Sequence, residues 1–401
     1  MRILQIAPQI PVPPTDGGKI GIYGITKGLQ ARGHQIDFVC YRKHDSFEYS
    51  FKELRKICTP HILNVQTDNN ILGVLKNSFS PVPYNISKYI KNEMSEFLAD
   101  FFRLNKVDIV HVDHLHLGWV IDEIRNITSV PVCIRGHNLE MQIMKRFYEK
   151  QKNIFVREFA RKQYKKFIKY EPELMSKFDR CIMISNKDEQ TLVNMKPGIK
   201  TSVISAGVDK KLLEIKRDKI KPHSIIHIGH TDWFPNYDGL EWFISNCLPE
   251  IVKKYPDTNL YIYGGGKTKD FPVPDSLKNN ITVVGFVEDL WTEIKDKALA
   301  IVPLRIGGGI RIKIIEMLAS GQPIVTTSIG KEGLNLEDKK HLLVADSKEE
   351  FISKITDYFE GRYDIEKIKA AGRNYIRKNF TWEIISEQFE EIYKNLLISG
   401  S

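Results

Sequence analysis

The stretch LAIVPLRIGGGIRIKIIEMLASGQPIVTT, Leu299 to Thr327, contains one complete structural sentence. A buried apolar run ends at Leu304, three glycines follow, and a helical pattern with Ile310, Ile314, Ile315 and Leu318 on one stripe leads to a second apolar run, PIVTT. Strand, loop, helix and strand in that order imply two parallel strands joined by a crossover helix. The stripe leaves Arg311, Lys313 and Glu316 to point at least partly elsewhere. A helix start offers unpaired N–H groups and partial positive charge, so bare glycines there suit the close approach of a phosphate. A tight turn flanked by solvated charges is the competing reading, and the rest of the chain has to decide.

The same grammar runs outward in both directions. Before residue 210 it is carried by RILQIA (2–7), GHQIDFVCY (33–41), VDIVHVD (107–113), VPVCIRGH (130–137), FDRCIMIS (178–185) and KTSVISAGVD (200–209). The charged stretch KKLLEIKRDKIKP (210–222) reads as a linker, after which SIIHIGH (224–230), NLYIYGGG (259–266), ITVVGFV (281–287), LAIVPL (299–304), PIVTT (323–327) and HLLVA (341–345) repeat the pattern. The expected class is therefore α/β, with two doubly wound Rossmann-like domains facing a cleft. We place the boundaries at 1–212, 213–378 and 379–401, the last being an amphipathic helix, FTWEIISEQFEEIYKNLL (380–397), expected to pack back on the N-terminal domain. Glycines cluster just after strands, at the end of the sheet where such folds bind ligands.

A chain of 401 residues exceeds the size of one ordinary core, which agrees with two domains. The formal charge of +9 suggests an anionic partner without choosing among nucleic acid, lipid headgroups and nucleotides. The five cysteines have neither zinc-ligand nor redox spacing and read as reduced core fillers of a cytoplasmic protein. No window has the apolar length of a spanning helix, so membrane association would be peripheral, at the inner face. KRFYEKQKNIFVREFARKQYKKFIKY (145–170) is basic and aromatic, and as one amphipathic helix it would suit an anionic membrane. Packing of its aromatic face on its own domain is the other reading. It has no companion nucleic-acid motif, so nucleic acid is not an expected partner.

The loop at Gly17 and Gly18, Arg32-Gly33-His34, RGHN (135–138), MIS (183–185), VISAGVD (203–209), VGFVEDL (284–290) and IEMLASGQPIVTT (315–327) together resemble family 4 of the retaining, nucleotide-sugar-dependent glycosyltransferases, which have the GT-B fold. The resemblance spans nearly the whole chain. It implies transfer of a sugar from a UDP- or GDP-sugar to a saccharide or lipid-linked acceptor, with retention, in polysaccharide or glycolipid synthesis, and no cofactor. Two departures stand out. The family's paired glutamates, seven residues between them, become Gly308 and Glu316 here, and the Arg and Lys usual after the first strand of the second domain are missing from GHTDWFPNYDGLEWF (229–243). Arg311 and Lys313 are expected to neutralise the diphosphate instead, as in a subgroup reading Gly-Gly-Gly-x-Arg-x-Lys.

By that resemblance Gly229, Asn236, Gly308, Gly309, Ile310, Arg311, Lys313 and Glu316 bind the donor, with Glu316 accepting the ribose hydroxyls. His137 is the catalytic-site candidate, a substrate-orienting residue beside the sugar. Gly17 and Gly18 form an acceptor or phosphate loop. No metal site is expected: His111, His114 and His116 lack an acidic partner at metal spacing and read as structural or acceptor-side residues. Two other functions share the architecture, a nucleotide-sugar 2-epimerase and a non-catalytic nucleotide-sugar-binding protein; the first needs an acid and a base over the sugar, the second is suggested by Gly308.

Overall fold

The computed structural model describes residues 1–14, 17–42, 47–151, 153–307 and 310–399. It divides into two compact units, Met1–Ala206 with Ile385–Ser401, and Gly207–Ile384.

The first unit is a seven-stranded sheet built from β1 (Arg2–Ala7), β2 (Gln35–Tyr41), β3 (Thr59–Leu63), β4 (Ile109–Asp113), β5 (Val132–Gly136), β6 (Arg180–Met183) and β7 (Thr201–Val203). Their order is β3-β2-β1-β4-β5-β6-β7, and every pair is parallel. The second unit has six strands, β8 (Lys221–Ile228), β9 (Asn259–Tyr263), β10 (Ile281–Gly285), β11 (Lys297–Val302), β12 (Ile324–Thr326) and β13 (Leu343–Val344), in the order β10-β9-β8-β11-β12-β13, again all parallel. These are the two Rossmann-like sheets of the GT-B architecture. Strands such as β1, β4 and β11 are buried along almost their whole length, as expected of parallel strands covered on both faces by helices. Strand order reverses between β1 and β4 in one unit and between β8 and β11 in the other. At those two places loops diverge from neighbouring strands and leave room for a ligand.

Local departures from the sequence reading have physical causes. The basic stretch is two helices, Glu140–Lys150 and Ile154–Met175, rather than one. Asn153 makes the break: its side-chain oxygen accepts from the N–H groups of Phe155 and Val156 at 3.0 and 3.2 Å and starts a new helix. Gly17 and Gly18 are the first turn of the helix Gly17–Ala31 rather than a loop before it. The linker is tied down, with a 3₁₀ turn over Lys210–Glu214, a buried Leu212, and Arg217 donating to the carbonyl of Gly321 at 2.9 Å. The edge strand β3, with Pro60 inside it, escaped the reading.

The MIS signal ends in an N-cap. Ser185 Oγ accepts from Asp188 N–H at 3.2 Å at the head of the helix Asn186–Met195. Replacing Ser185 by Ala should cost about 1 kcal/mol, read as a lower urea midpoint with an unchanged slope.

Candidate functional site

In the second unit the candidate donor residues gather at the β8/β11 reversal. The loop after β11 leads to the helix Ile312–Ser320, whose apolar side is buried through Ile314, Ile315 and Leu318. Gly308 and Gly309 lie outside the described residues. Ile310 packs, partly buried, against the same core.

Lys313 donates to the carbonyl of Ile228, the last residue of β8, and to Asn236 Oδ1, both at 2.8 Å. Asn236 is buried in the first turns of the helix Phe234–Asn246 and donates its amide to the carbonyl of His230 at 2.9 Å. Gly229 lets that amide lie where it does, since a Cβ there would stand 2.5 Å from Asn236 Nδ2. Its φ of 150° is one that residues with side chains rarely adopt. Two of the three Lys313 N–H bonds are thus fixed by protein acceptors, leaving one for a ligand.

Arg311 is 7% exposed, and its guanidinium carbon lies 5.6 Å from the centre of the Trp233 ring. The indole orients the guanidinium from one side, and Gly307 leaves room for it on another: a Cβ on Gly307 would collide with the Arg311 guanidinium. Burial, with Arg311 beside it, lowers the Lys313 ammonium to about 7. Beneath it His227 on β8 is fully buried and held well below its ordinary value by burial and by Lys313, so it stays neutral. Glu316, one turn along the helix, is half-buried, has no hydrogen-bond or ion-pair partner among the described residues, and is pushed up to about 7 by burial. A carboxylate left in that state calls for donors.

The first unit holds a different cluster, around Asp113 at the end of β4. Burial alone would raise its carboxyl, yet the facing His111 and His137 hold it well below the usual range. Asp113 Oδ2 accepts from Gln5 of β1 at 2.7 Å, and Oδ1 lies 3.3 Å from His111 Nε2, 3.4 Å from His137 Nε2 and 3.8 Å from Arg135 Nη1. Thr26 donates in turn to Gln5 at 2.8 Å. Behind His111, Nδ1 is hydrogen-bonded to the hydroxyl of Tyr393 from the C-terminal helix Trp382–Ser399. His137 is buried just after β5, and His114 stacks on it with ring centres 3.6 Å apart and planes 6° from parallel. After His137 the helix Glu140–Lys150 is fixed at its start by Glu171, whose carboxylate accepts from Glu140 and Met141 N–H at 3.0 and 2.9 Å. Burial raises Glu140 to about 7 and, reinforced by its neighbour Glu140, Glu171 to about 8.

Sequence reasoning singled out Arg311, Lys313, Glu316, Gly229 and Asn236; the structure brings Arg311, Lys313, Gly229 and Asn236 together, with Glu316 further along the same helix. It did not single out Trp233, Asp113, Arg135 or Tyr393. The Asp-His at the end of β4, opposite the Arg-x-His at the end of β5, was the available signal. Gly17 and Gly18 stand in the first unit at the head of their helix. No helix among the described residues is long and apolar enough to cross a membrane.

Two parallel Rossmann-like sheets give the chain the GT-B architecture, and the family models that match it make it a glycosyltransferase. Family models match both halves, Glycosyltransferase Family 4 over residues 15–212 and Glycosyl transferases group 1 over residues 222–360. An uncharacterized 44.6 kDa protein in the cps region of Klebsiella pneumoniae is 23% identical, covering 97% of this chain and 99% of that protein. In fold the chain resembles sucrose-phosphate synthase from Thermosynechococcus elongatus, with TM-score 0.70, 15% identity and all of both chains covered. It also resembles Anabaena HepE in complex with UDP-glucose, with TM-score 0.68, 14% identity, and 98% and 100% of the two chains covered.

The Lys313 environment generates a pH dependence. A bound diphosphate would raise its value above about 7, so binding is complete below that pH and weakens as the free protein loses the proton above it. Titration with UDP or GDP should show proton uptake near pH 7.5, detected as a heat that varies with buffer ionisation enthalpy. Affinity should fall about tenfold between pH 7 and 8.5, and a flat profile would show that Lys313 does not meet the phosphates.

Proposed function

We propose that this glycosyltransferase takes a sugar from a UDP- or GDP-sugar held in the second unit and transfers it, with retention, to a saccharide or lipid-linked acceptor, in polysaccharide or glycolipid synthesis. The observation that carries the reading is the convergence of Arg311, Lys313 and Glu316 on the β8/β11 reversal. As the bond from the anomeric carbon to the diphosphate breaks, negative charge grows on the leaving phosphate. Donors already in place there act chiefly in the transition state. Arg311 offers a planar fork and Lys313 a point charge, so they complement each other. Glu316, lacking a protein partner, suits a pair of ribose hydroxyls. His137 stays uncharged and offers a hydrogen bond to the donor sugar. The HepE relative was solved with UDP-glucose, which favours this ligand class. Neither a 2-epimerase nor a non-catalytic binder gains a specific observation among the described residues.

Substitutions separate the parts. Glu316→Ala should weaken UDP or GDP and the corresponding nucleoside alike, by about 10-fold to 100-fold, as expected for lost charged hydrogen bonds. Arg311→Ala should weaken the diphosphate far more than the nucleoside. Calorimetry in the presence of a chelator measures both, and equal losses for the two ligands after Arg311→Ala would refute the phosphate cradle.

The start of the helix Ile154–Met175 favours peripheral contact with an anionic bilayer. Ile154 and Phe155 are 70% and 80% exposed, and exposed Arg157, Lys162, Lys165 and Lys169 follow. Cosedimentation with vesicles containing phosphatidylglycerol should fall at least fivefold on Ile154→Ser with Phe155→Ser. Equal recovery of both proteins would dismiss the contact.

A further inference from the structure

The residue after β4 is unusual. His114 has φ 72° and ψ 141°, a backbone region essentially reserved for glycine. Its surroundings hold it there: its N–H donates to the carbonyl of Arg135 at 3.1 Å, and its own carbonyl accepts from Leu117 N–H at 3.2 Å to begin the turn Leu115–Leu117. Glycine would follow the same path without strain. An imidazole at this position therefore calls for a use of the ring, and the ring lies flat on His137.

His137 Nε2 lies 3.1 Å from Arg135 Nη1 and 3.4 Å from Asp113 Oδ1. One ring nitrogen cannot serve both, and a guanidinium can only donate. The shorter contact makes Nε2 an acceptor and leaves the ring proton on Nδ1. Protonating His137 would then set N–H against N–H beside a cation. The other groups around it are His111 of β4, bound to Asp113 and to Tyr393 of the C-terminal helix, and His114 itself. Beyond His114 stands His116, 5.7 Å away ring to ring, with Glu140 4.0 Å from its Nε2.

We propose that His114 is a positioning residue for His137: the strained turn after β4 lays a neutral ring over one face of His137, shuts water from it, and so keeps it an uncharged donor through Nδ1. The proposal rests on the reading of His137 as the hydrogen-bond donor to the sugar. Two imidazoles at this separation cannot both carry charge without strong repulsion. Burial and then Arg135 take His137 down to about 4, and burial and then His137 hold His114 well below its ordinary value. A donor that stays neutral through mildly acid pH keeps one tautomer and one direction for its proton.

The test compares wild type with His114→Gly and His114→Ala, by thermal unfolding and by NMR titration of the histidine ring nitrogens from pH 3.5 to 8. Because residue 114 has φ 72°, the glycine variant should melt above the alanine one in either case, and a ring kept for stability would show as a glycine variant that melts below wild type. The proposal expects His114→Gly to melt no lower than wild type. The His137 midpoint should rise by more than one pH unit from about 4, because water reaches the uncovered face. In the transfer assay the variants should then lose more rate than wild type as pH falls from 6.5 to 5. An unmoved His137 midpoint, or a glycine variant that melts below wild type, overturns the proposal. Failure of the functional reading shows separately, as wild type that binds no nucleotide, and leaves the titration free to decide the role of His114.

Discussion

An ammonium group placed among apolar neighbours needs acceptors, and Lys313 finds two where β8 ends, in the carbonyl of Ile228 and the side chain of Asn236. Much of the second unit follows from that requirement. Asn236 must be buried and oriented, so it sits in the first turns of the helix after β8, and residue 229 must lack a Cβ for the amide to reach its place. The helix after β11 must begin within reach of the end of β8, which the reversal of strand order makes possible. Arg311 adds repulsion rather than support, and Trp233 gives its guanidinium a favourable face.

The first unit solves the inverse problem. Its buried charge is a carboxylate, Asp113, also at the end of a strand beside the reversal; Gln5 of β1 donates to it at 2.7 Å, and His111 of β4 and Arg135 of β5 face it at 3.3 and 3.8 Å. These contacts fix directions: His111 turns one nitrogen toward Asp113 and the other to Tyr393, while Arg135 and Asp113 compete for one nitrogen of His137. The network is rigid where a ligand would need direction and carries little charge toward a ligand that is neutral.

What could be read from the sequence follows these physical differences. Strands buried on both faces advertise themselves as apolar runs, so β1, β4, β8 and β11 were plain, whereas the edge strand β3, short and carrying Pro60, was not. The two-helix form of residues 140–175 was hidden because Asn153 looks like any polar residue until its side chain is seen capping a helix. Arg311, Lys313 and Glu316 were legible because they lie on one helix turn after glycines, where local geometry suffices. The network at His137 was not, since it joins residues of different strands, and Tyr393 stands 282 positions from His111. The positive φ of His114 leaves no mark in composition or periodicity; only the preceding Asp and the following His set that position apart.

The two units treat protons in complementary ways, and the transfer proposed above, from a nucleoside-diphosphate sugar, would give a reason. Cleaving a nucleoside-diphosphate sugar concentrates negative charge on phosphate oxygens, so a cation whose proton binds more tightly as that charge grows contributes more to the transition state than to the ground state. Lys313, lowered to about 7 by burial and Arg311, has that property, whereas an exposed lysine is fully charged throughout and gains little. The sugar itself develops positive character at the anomeric carbon, and a charged imidazolium nearby would oppose it. A histidine kept neutral by Arg135, by burial and by a stacked ring avoids that penalty while still offering a hydrogen bond. The labile cation in the second unit and the neutral ring in the first are each set by how their own strand ends.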